Sequence, residues 1–362
     1  MKFSDIQGNS HIVSVLRTMA SSGRIPHAML FYENDGGGAI PMILAFLDYI
    51  NEGRHSDIHF TFPITTSTKV SGATKDLTCD MFSSYWRELI QKNPYFLENE
   101  MSSALGFDKK TGNISAAEGR SILRTLSLRS MSVGYRAIVV YLPERMNATT
   151  ANMLLKAIEE PAPGNLFLMV THSPESVLQT ISSRCQALRI LPLPKEEVKK
   201  ALVEKFSVPE EEAYEAALLA GGSIGAALAE VSAHSESLAQ KDLFMDIVDS
   251  IGRRDYFSVL ECGEKIAGLD SREKQKAFCN FAGECVRKIF MIQQGQPSLG
   301  AISKDELPFY EKASSSLPPQ WCENALSIIS RAATYLERNV NQKILFCAMA
   351  TRLYTSAHPS RG

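Results

Sequence analysis

The chain lacks any marked excess of charge: 38 lysines and arginines stand against 40 aspartates and glutamates, a formal net charge of -2. That balance removes a global electrostatic case for nucleic acid. A local basic face stays open, because net charge says nothing about distribution. The chain also lacks any Cys-x-x-Cys pair. Its seven cysteines, at positions 79, 185, 262, 279, 285, 322 and 347, are odd in number and have no metal-ligand spacing. A sequence-encoded metal cluster is therefore not expected. Reduced thiols are, and those from Cys262 to Cys347 fall in helical patterns, where a thiol behaves as a small buried hydrophobe. No apolar run reaches the roughly eighteen residues of a membrane span, and the opening MKFSDIQGNS has no apolar signal core. The expectation is a cytoplasmic chain. Internal repeats and low-complexity tails are missing too.

What is present is an ordinary globular composition, 44% hydrophobic and 22% charged, over 362 residues. That length suggests two or three domains rather than one core. In the first half, short β-rich runs alternate with helical patterns, which predicts an α/β domain with a parallel sheet. The predicted strands are Ala28–Tyr32, Ile58–Phe62, Arg136–Tyr141, Leu166–Thr171 and Ala187–Leu191. Three of them, AMLFY, AIVVY and LFLMV, are continuous apolar runs, the pattern of strands buried on both faces. Helical patterns lie between them at Ile12–Met19, Ala117–Leu128 and Thr150–Ile158. Residues 63–112 read as an insertion with one or two helices of its own, around Met81–Gln91. After Pro192-Leu193-Pro194 the strands stop. Phe278, Phe281, Cys285 and Ile289, then Leu326, Ile329, Ala333 and Leu336, repeat at helical spacing to the end.

One segment sits where a phosphate-binding loop belongs: Glu33-Asn-Asp-Gly-Gly-Gly-Ala-Ile-Pro-Met42, after the strand AMLFY and before a helical run, Met42–Tyr49. A working loop, GxxxxGK[ST], uses glycines to bring backbone N–H groups to the phosphates, a lysine for the outer phosphates and a hydroxyl for magnesium. With Gly36 and Gly38 in the glycine places, Ala39 stands at the lysine position and Ile40 at the hydroxyl position. Neither holds a phosphate or a metal. Pro41 is tolerated in a first helical turn but removes a donor at the end where anions dock. From these residues alone, a plain strand-to-helix turn and a disabled phosphate loop both stand.

The block from Tyr135 to Gln186 tips that balance. It contains Met146-Asn147, Leu154-Leu155-Lys156-Ala157-Ile158-Glu159-Glu160-Pro161, Thr171-His172-Ser173-Pro174 and Thr180-Ile181-Ser182-Ser183-Arg184-Cys185, in that order. Together with Ile6-Gln7-Gly8, His27-Ala28 and His55-Ser56-Asp57-Ile58-His59, this resembles the AAA+ clamp-loader subunits over roughly residues 1–195. The resemblance implies an AAA+ α/β domain with a parallel sheet, of the P-loop NTPase kind, over residues 1–193. A helical lid would follow over 194–233, and an all-α collar for oligomerisation over 234–362. Active members end the strand at Tyr141-Leu142 with an Asp-Glu pair that holds magnesium and polarises water. That acidic site is lost here, and Glu144 restores at most one carboxylate. In the lid, Gly222-Ser223-Ile224-Gly225-Ala226-Ala227 stands where relatives carry a second sensing arginine, and Thr171 corresponds to a residue that senses the γ-phosphate. A four-cysteine zinc module common in the nearest group is missing or replaced by residues 63–112, which hold only Cys79.

The resemblance therefore implies a bacterial clamp-loader subunit that binds no cofactor of its own. Arg184, within Ser183-Arg184-Cys185, would act as an arginine finger in trans on ATP and magnesium held by a neighbouring subunit. Its partners would be the other subunits of a hetero-oligomeric ring and, through the complex, the sliding clamp and primer–template DNA. An ATP-hydrolysing subunit and an AAA+-like scaffold with no part in hydrolysis are the alternatives. Taken alone, Arg184 also reads as a surface arginine paired with a nearby carboxylate. Arg120 and Arg124, one helical turn apart and followed by Arg129, match a family helix facing DNA. Phosphate contacts and a solvated face are both open there. His55, Asp57 and His59 alternate on one strand face. Metal ligation by them is a weaker reading than orienting the strand end or bonding nearby backbone.

Overall fold

The structure, a computed structural model, describes residues 1–53, 57–107, 110–127, 134–296, 302, 306–336, 338 and 340–358. Contacts divide the chain into two units, Met1–Ser232 and Ala233–Gly362.

In the first unit five strands, β1 (Ala28–Tyr32), β2 (Asp57–Thr61), β3 (Arg136–Tyr141), β4 (Asn165–Thr171) and β5 (Gln186–Arg189), form one sheet in the order β2-β3-β4-β1-β5. Every pairing is parallel. The apolar runs have a direct cause: alternate residues of each strand enter different cores. Met29 and Phe31 of β1, Val139 and Tyr141 of β3, and Leu168 and Val170 of β4 point into one cluster. Ala28 and Leu30, Ile138 and Val140, and Phe167 and Met169 point into another.

Helices α1 (Ser10–Ser21) and α2 (Ala39–Ile50) cover the first face, with α3 (Ser83–Lys92) and α4 (Glu98–Ala104) from the insertion. The insertion is part of that core: Trp86 stacks on Phe62 at 4.1 Å between centroids and meets Phe96 edge-on at 5.4 Å. Helices α5 (Ala116–Ser127) and α6 (Ala148–Glu159) cover the second face. A short helix, α7 (Gln179–Ser182), leads into β5; α8 (Lys195–Phe206), α9 (Glu210–Leu219) and the start of α10 (Ile224–Gly252) then build a small apolar cluster around Val198, Leu202, Ala217 and Ile224.

The second unit is helical. The later part of α10 packs with α11 (Tyr256–Ala267), α12 (Arg272–Gln293), α13 (Leu307–Ser316), α14 (Pro319–Leu336) and α15 (Gln342–Ala357). Cys262, Cys279, Cys285 and Cys322 lie buried in its core as free thiols, while Cys347 is half-buried. Buried Trp321 donates its indole N–H to the Leu353 carbonyl at 3.0 Å. Among the described residues no helix is long and apolar enough to cross a membrane.

Candidate functional site

The sheet register fixes where a site can form. Tyr32 is level with Thr171, and Tyr141 with Val170, so the chain leaves β1, β3 and β4 along one edge of the sheet. In open α/β sheets ligands bind outside the carboxyl ends of the strands, where the strand order switches. Glu33 and Leu142 continue the ladder by donating to the Thr171 and Val170 carbonyls at 3.1 and 2.8 Å. The glycine loop, Tyr141-Leu142 and Thr171-His172 therefore meet there.

Gly36 and Gly38 have φ of +71° and +109°, the left-handed region that a side chain rarely enters, and α2 begins immediately after. Ala39 and Ile40, at the lysine and hydroxyl positions, are buried apolar contacts of the core. What occupies the loop is Glu33. Its Oε2 accepts from the Ala39 backbone N–H at 2.6 Å, and its side chain is 4% exposed. Burial pushes the Glu33 carboxyl up to about 8; the Ala39 N–H pulls the other way, and the nearby Asp35 charge adds to the rise.

Asp35 faces outward from the same turn and accepts from the Glu98 backbone N–H with both oxygens, at 3.2 and 3.0 Å, bonding the loop to the start of α4. Tyr141, where an active relative would carry an acid, donates its hydroxyl to Asp35 Oδ1 at 3.5 Å. Its ring packs against Trp86, Phe96 and His172. Burial, then the charges of Asp35, Glu33, Glu98 and Glu144, hold the Tyr141 hydroxyl far above its usual range. His172 Nε2 lies 3.6 Å from Asp35 Oδ1 and 4.0 Å from Glu33 Oε1, buried without a hydrogen-bond partner. Glu144 does approach the strand ends, but its Oε1 accepts the His172 backbone N–H at 3.2 Å. Thr171 turns its hydroxyl to the Ser173 N–H at 3.1 Å.

The segment where relatives carry a sensing arginine also reaches the loop. Ser223 Oγ donates to the Asp35 carbonyl at 2.7 Å, the Gly225 N–H to the Gly36 carbonyl at 3.1 Å, and Ser223 Oγ accepts the Ala226 N–H at 3.1 Å. Among the described residues no group of three or more His, Cys, Asp or Glu could hold a metal ion.

Arg184 lies elsewhere, just beyond α7. Its guanidinium pairs with Glu159 at the end of α6 and donates to the Thr180 carbonyl at 2.7 Å and Ser183 Oγ at 3.4 Å. The side chain is 34% exposed. Ser183 is exposed; Cys185 is half-buried, and burial pushes its thiol up to about 11, which removes it as a nucleophile near neutral pH. Arg120 and Arg124 are both exposed on α5, on the side away from its buried Glu118, Gly119 and Ile122. Arg129 and His55 fall outside the described residues.

Asp57 and His59, expected to orient the strand end or to bond nearby backbone, have side-chain partners. Asp57 holds the Arg136 guanidinium at 2.7 Å. His59 meets Glu118, fully buried on α5, at 3.1 Å, and Thr61 donates to the same carboxylate at 2.9 Å, as does the Cys79 N–H at 2.8 Å. Burial alone would lower the His59 pKa; the hydrogen bond and charge of Glu118 outweigh it and raise it. Burial likewise would raise Glu118, yet His59, the Cys79 N–H and Thr61 bring it below its usual value. Each partner thus favours the charged form of the other, and the contact ties β2, α5 and the insertion together. Sequence reading missed Glu33, His172 and Glu118. Only Glu33 had a local signal, a carboxylate set between a buried strand and three glycines.

A family model described as DNA polymerase III, delta subunit, matches residues 8–194. Among curated relatives, the delta' subunit of DNA polymerase III from Bacillus subtilis is 29% identical over 97 residues, 27% of this chain and 30% of that protein. The delta' subunit of Escherichia coli is 28% identical over 141 residues, 39% of this chain and 42% of that protein. The chain thus spans less than half the length of these relatives. A solved structure of a DNA polymerase III gamma subunit-related protein from Thermotoga maritima aligns over 94% of this chain and 99% of its own, at 12% identity and a TM-score of 0.35. With its model matched across more than half of the 362 residues, from the first helix through the last strand, the chain belongs to the DNA polymerase III delta subunit family.

Proposed function

We propose that this chain completes a clamp-loader ring without hydrolysing ATP itself, and that Arg184 reaches the ATP of a neighbouring subunit while the complex loads a sliding clamp onto primed DNA. One observation carries the reading: an exposed arginine stands in an intact Ser183-Arg184-Cys185 segment, on a domain whose own loop presents Glu33, Ala39 and Ile40 in place of a lysine and a hydroxyl. Guanidinium is permanently charged and planar, which suits the oxygens of a departing phosphoryl group. The contact with Glu159 is no obstacle. Both side chains are more than a third open to solvent, and such pairs are worth about 0–1 kcal/mol. A charge-assisted contact to phosphate outcompetes that.

The test is the ATPase rate of the reconstituted complex carrying Arg184→Ala. An arginine finger contributes on the order of 10³-fold or more where measured, so a clear loss with normal assembly is expected. An unchanged rate refutes the finger. The Glu159 pairing favours a second reading in that event, a staple between α6 and α7 in a scaffold subunit. Titrating the isolated chain with ATP and magnesium addresses the hydrolysing alternative, which requires micromolar binding.

A further inference from the structure

A phosphate loop works because backbone N–H groups at a helix start converge on an empty place that an anion fills. Here a group of the chain's own fills it. We propose that Glu33 is an internal ligand of the glycine loop, its carboxyl group standing where a phosphate would stand and keeping oligophosphates out, with Ser223 and Gly225 bracing the loop's outer turn.

Glu33 Oε2 takes the N–H of Ala39, the first residue of α2, at 2.6 Å, which is the donor a phosphate would need. Gly37 is shaped by that carboxyl: a Cβ there would lie 2.9 Å from Glu33 Oε2 and 3.2 Å from Glu33 Cβ. The glycine makes room for the glutamate. On the outer side two backbones touch. A Cβ on Gly225 would come within 2.0 Å of the Tyr95 carbonyl oxygen and 2.9 Å of Gly36 Cα, while the Gly225 N–H bonds to the Gly36 carbonyl. Main chain is therefore packed against the outer turn at Gly36, while the place at the Ala39 N–H is held by Glu33 alone.

The groups around Glu33 add to the exclusion. Asp35 on its own turn adds its charge at Glu33, His172 after β4 is the basic neighbour at 4.0 Å, and the Tyr141 hydroxyl lies within reach of the charges of Glu33, Asp35, Glu98 and Glu144. With its pKa raised to about 8, the Glu33 carboxyl is mostly neutral at pH 7. Occupancy, rather than its charge, keeps phosphate away at that pH.

The inference rests on residues 33–40 being a displaced phosphate loop and owes nothing to Arg184. Its test is calorimetric titration of the full chain with inorganic pyrophosphate at pH 7, for wild type, Glu33→Ala and Glu33→Gln. Glu33→Ala, which empties the place, is expected to bind about tenfold or more tightly than wild type. Glu33→Gln, which keeps it filled, is expected to match wild type. Equal binding by wild type and Glu33→Ala overturns the proposal, and so does a Glu33→Gln protein that binds like Glu33→Ala. Should Glu33→Ala fail to fold, Glu33→Ser, whose side chain is too short to fill the place, takes its part in the same titration with the same two outcomes. None of these results bears on the Arg184 assay, which reads another subunit's ATP site.

Discussion

Replacing Glu33 by glutamine converts the buried carboxyl into a measurement. Burial raises its pKa to about 8 in the folded chain, against 4.5 for an unperturbed glutamate. The sign follows by linkage: a group whose folded pKa is raised gives its full contribution below the unfolded pKa and loses it as pH climbs to the folded one. Each pH unit in that window costs about 1.4 kcal/mol, because unfolding releases the proton. The loss is under about 1 kcal/mol at pH 5, about 3 kcal/mol at pH 7, and levels off near about 5 kcal/mol above pH 8. Glutamine has no such titration, and its side-chain oxygen can still accept from Ala39. The variant's stability advantage should therefore widen by about 2 kcal/mol between pH 5 and pH 7. The slope is the diagnostic, since any hydrogen-bond deficit of the amide shifts all pH values alike. Trp86 lies in the same aromatic cluster as Tyr141, while Trp321 belongs to the second unit. Urea denaturation followed by Trp86 fluorescence in a Trp321→Phe background therefore isolates the first unit. Parallel stability curves for wild type and Glu33→Gln across pH 5 to 8 refute the reasoning.

Two further outcomes are expected. His59→Ala removes one hydrogen-bond partner from the buried Glu118 carboxylate, and leaving such a group under-satisfied costs about 1–3 kcal/mol, read as a lower urea midpoint for the first unit. In the wild type the His59 contribution is complete below its ordinary value of 6.5 and falls as pH rises through its raised value. The Glu118 contribution is present above 4.5 and falls as pH drops through its lowered value. On the reading that Arg120 and Arg124 face DNA, replacing both by alanine weakens DNA binding by the reconstituted complex and flattens its log–log salt dependence by roughly 0.9 for each phosphate no longer neutralised. An unchanged slope in a filter-binding series assigns both to solvent.

The sequence carried the sheet because its signal is local. β1 and β3 span the residues that their apolar runs predicted, β2 lies one residue earlier at both ends, and β4 begins one residue earlier. β5 was predicted to run to Leu191, yet it ends at Arg189. There Leu191 leaves the ladder and donates its N–H to Asn9 Oδ1 at 2.8 Å, a partner far away in sequence that periodicity cannot announce. The start of α2 at Ala39 rather than Met42 has a similar cause: Gly38 supplies the left-handed entry, and Pro41 fits the first turn. The insertion read as helical but not as part of the main core, because its hold on Tyr141 comes through Trp86 and Phe96. The His59–Glu118 pair joins segments 59 residues apart, and nothing in either segment signals the other.

The same distinction explains why the loop's losses were visible and its compensation was not. Missing residues are read directly: no lysine at Ala39, no acid at Tyr141. A loop built around a ligand loses that ligand's stabilisation when the ligand no longer binds, about 4 kcal/mol where it once sat at a thousandfold its Kd. Each buried N–H left without an acceptor costs about 1–3 kcal/mol more. Deletion of the phosphate-binding groups alone would therefore leave a weak turn at the centre of the sheet. On the proposed reading of a displaced phosphate loop, the contacts that hold this turn without a ligand come from three directions: Glu33 on the Ala39 N–H, the Tyr141 ring against Trp86 and Phe96, and Gly225 on the Gly36 carbonyl.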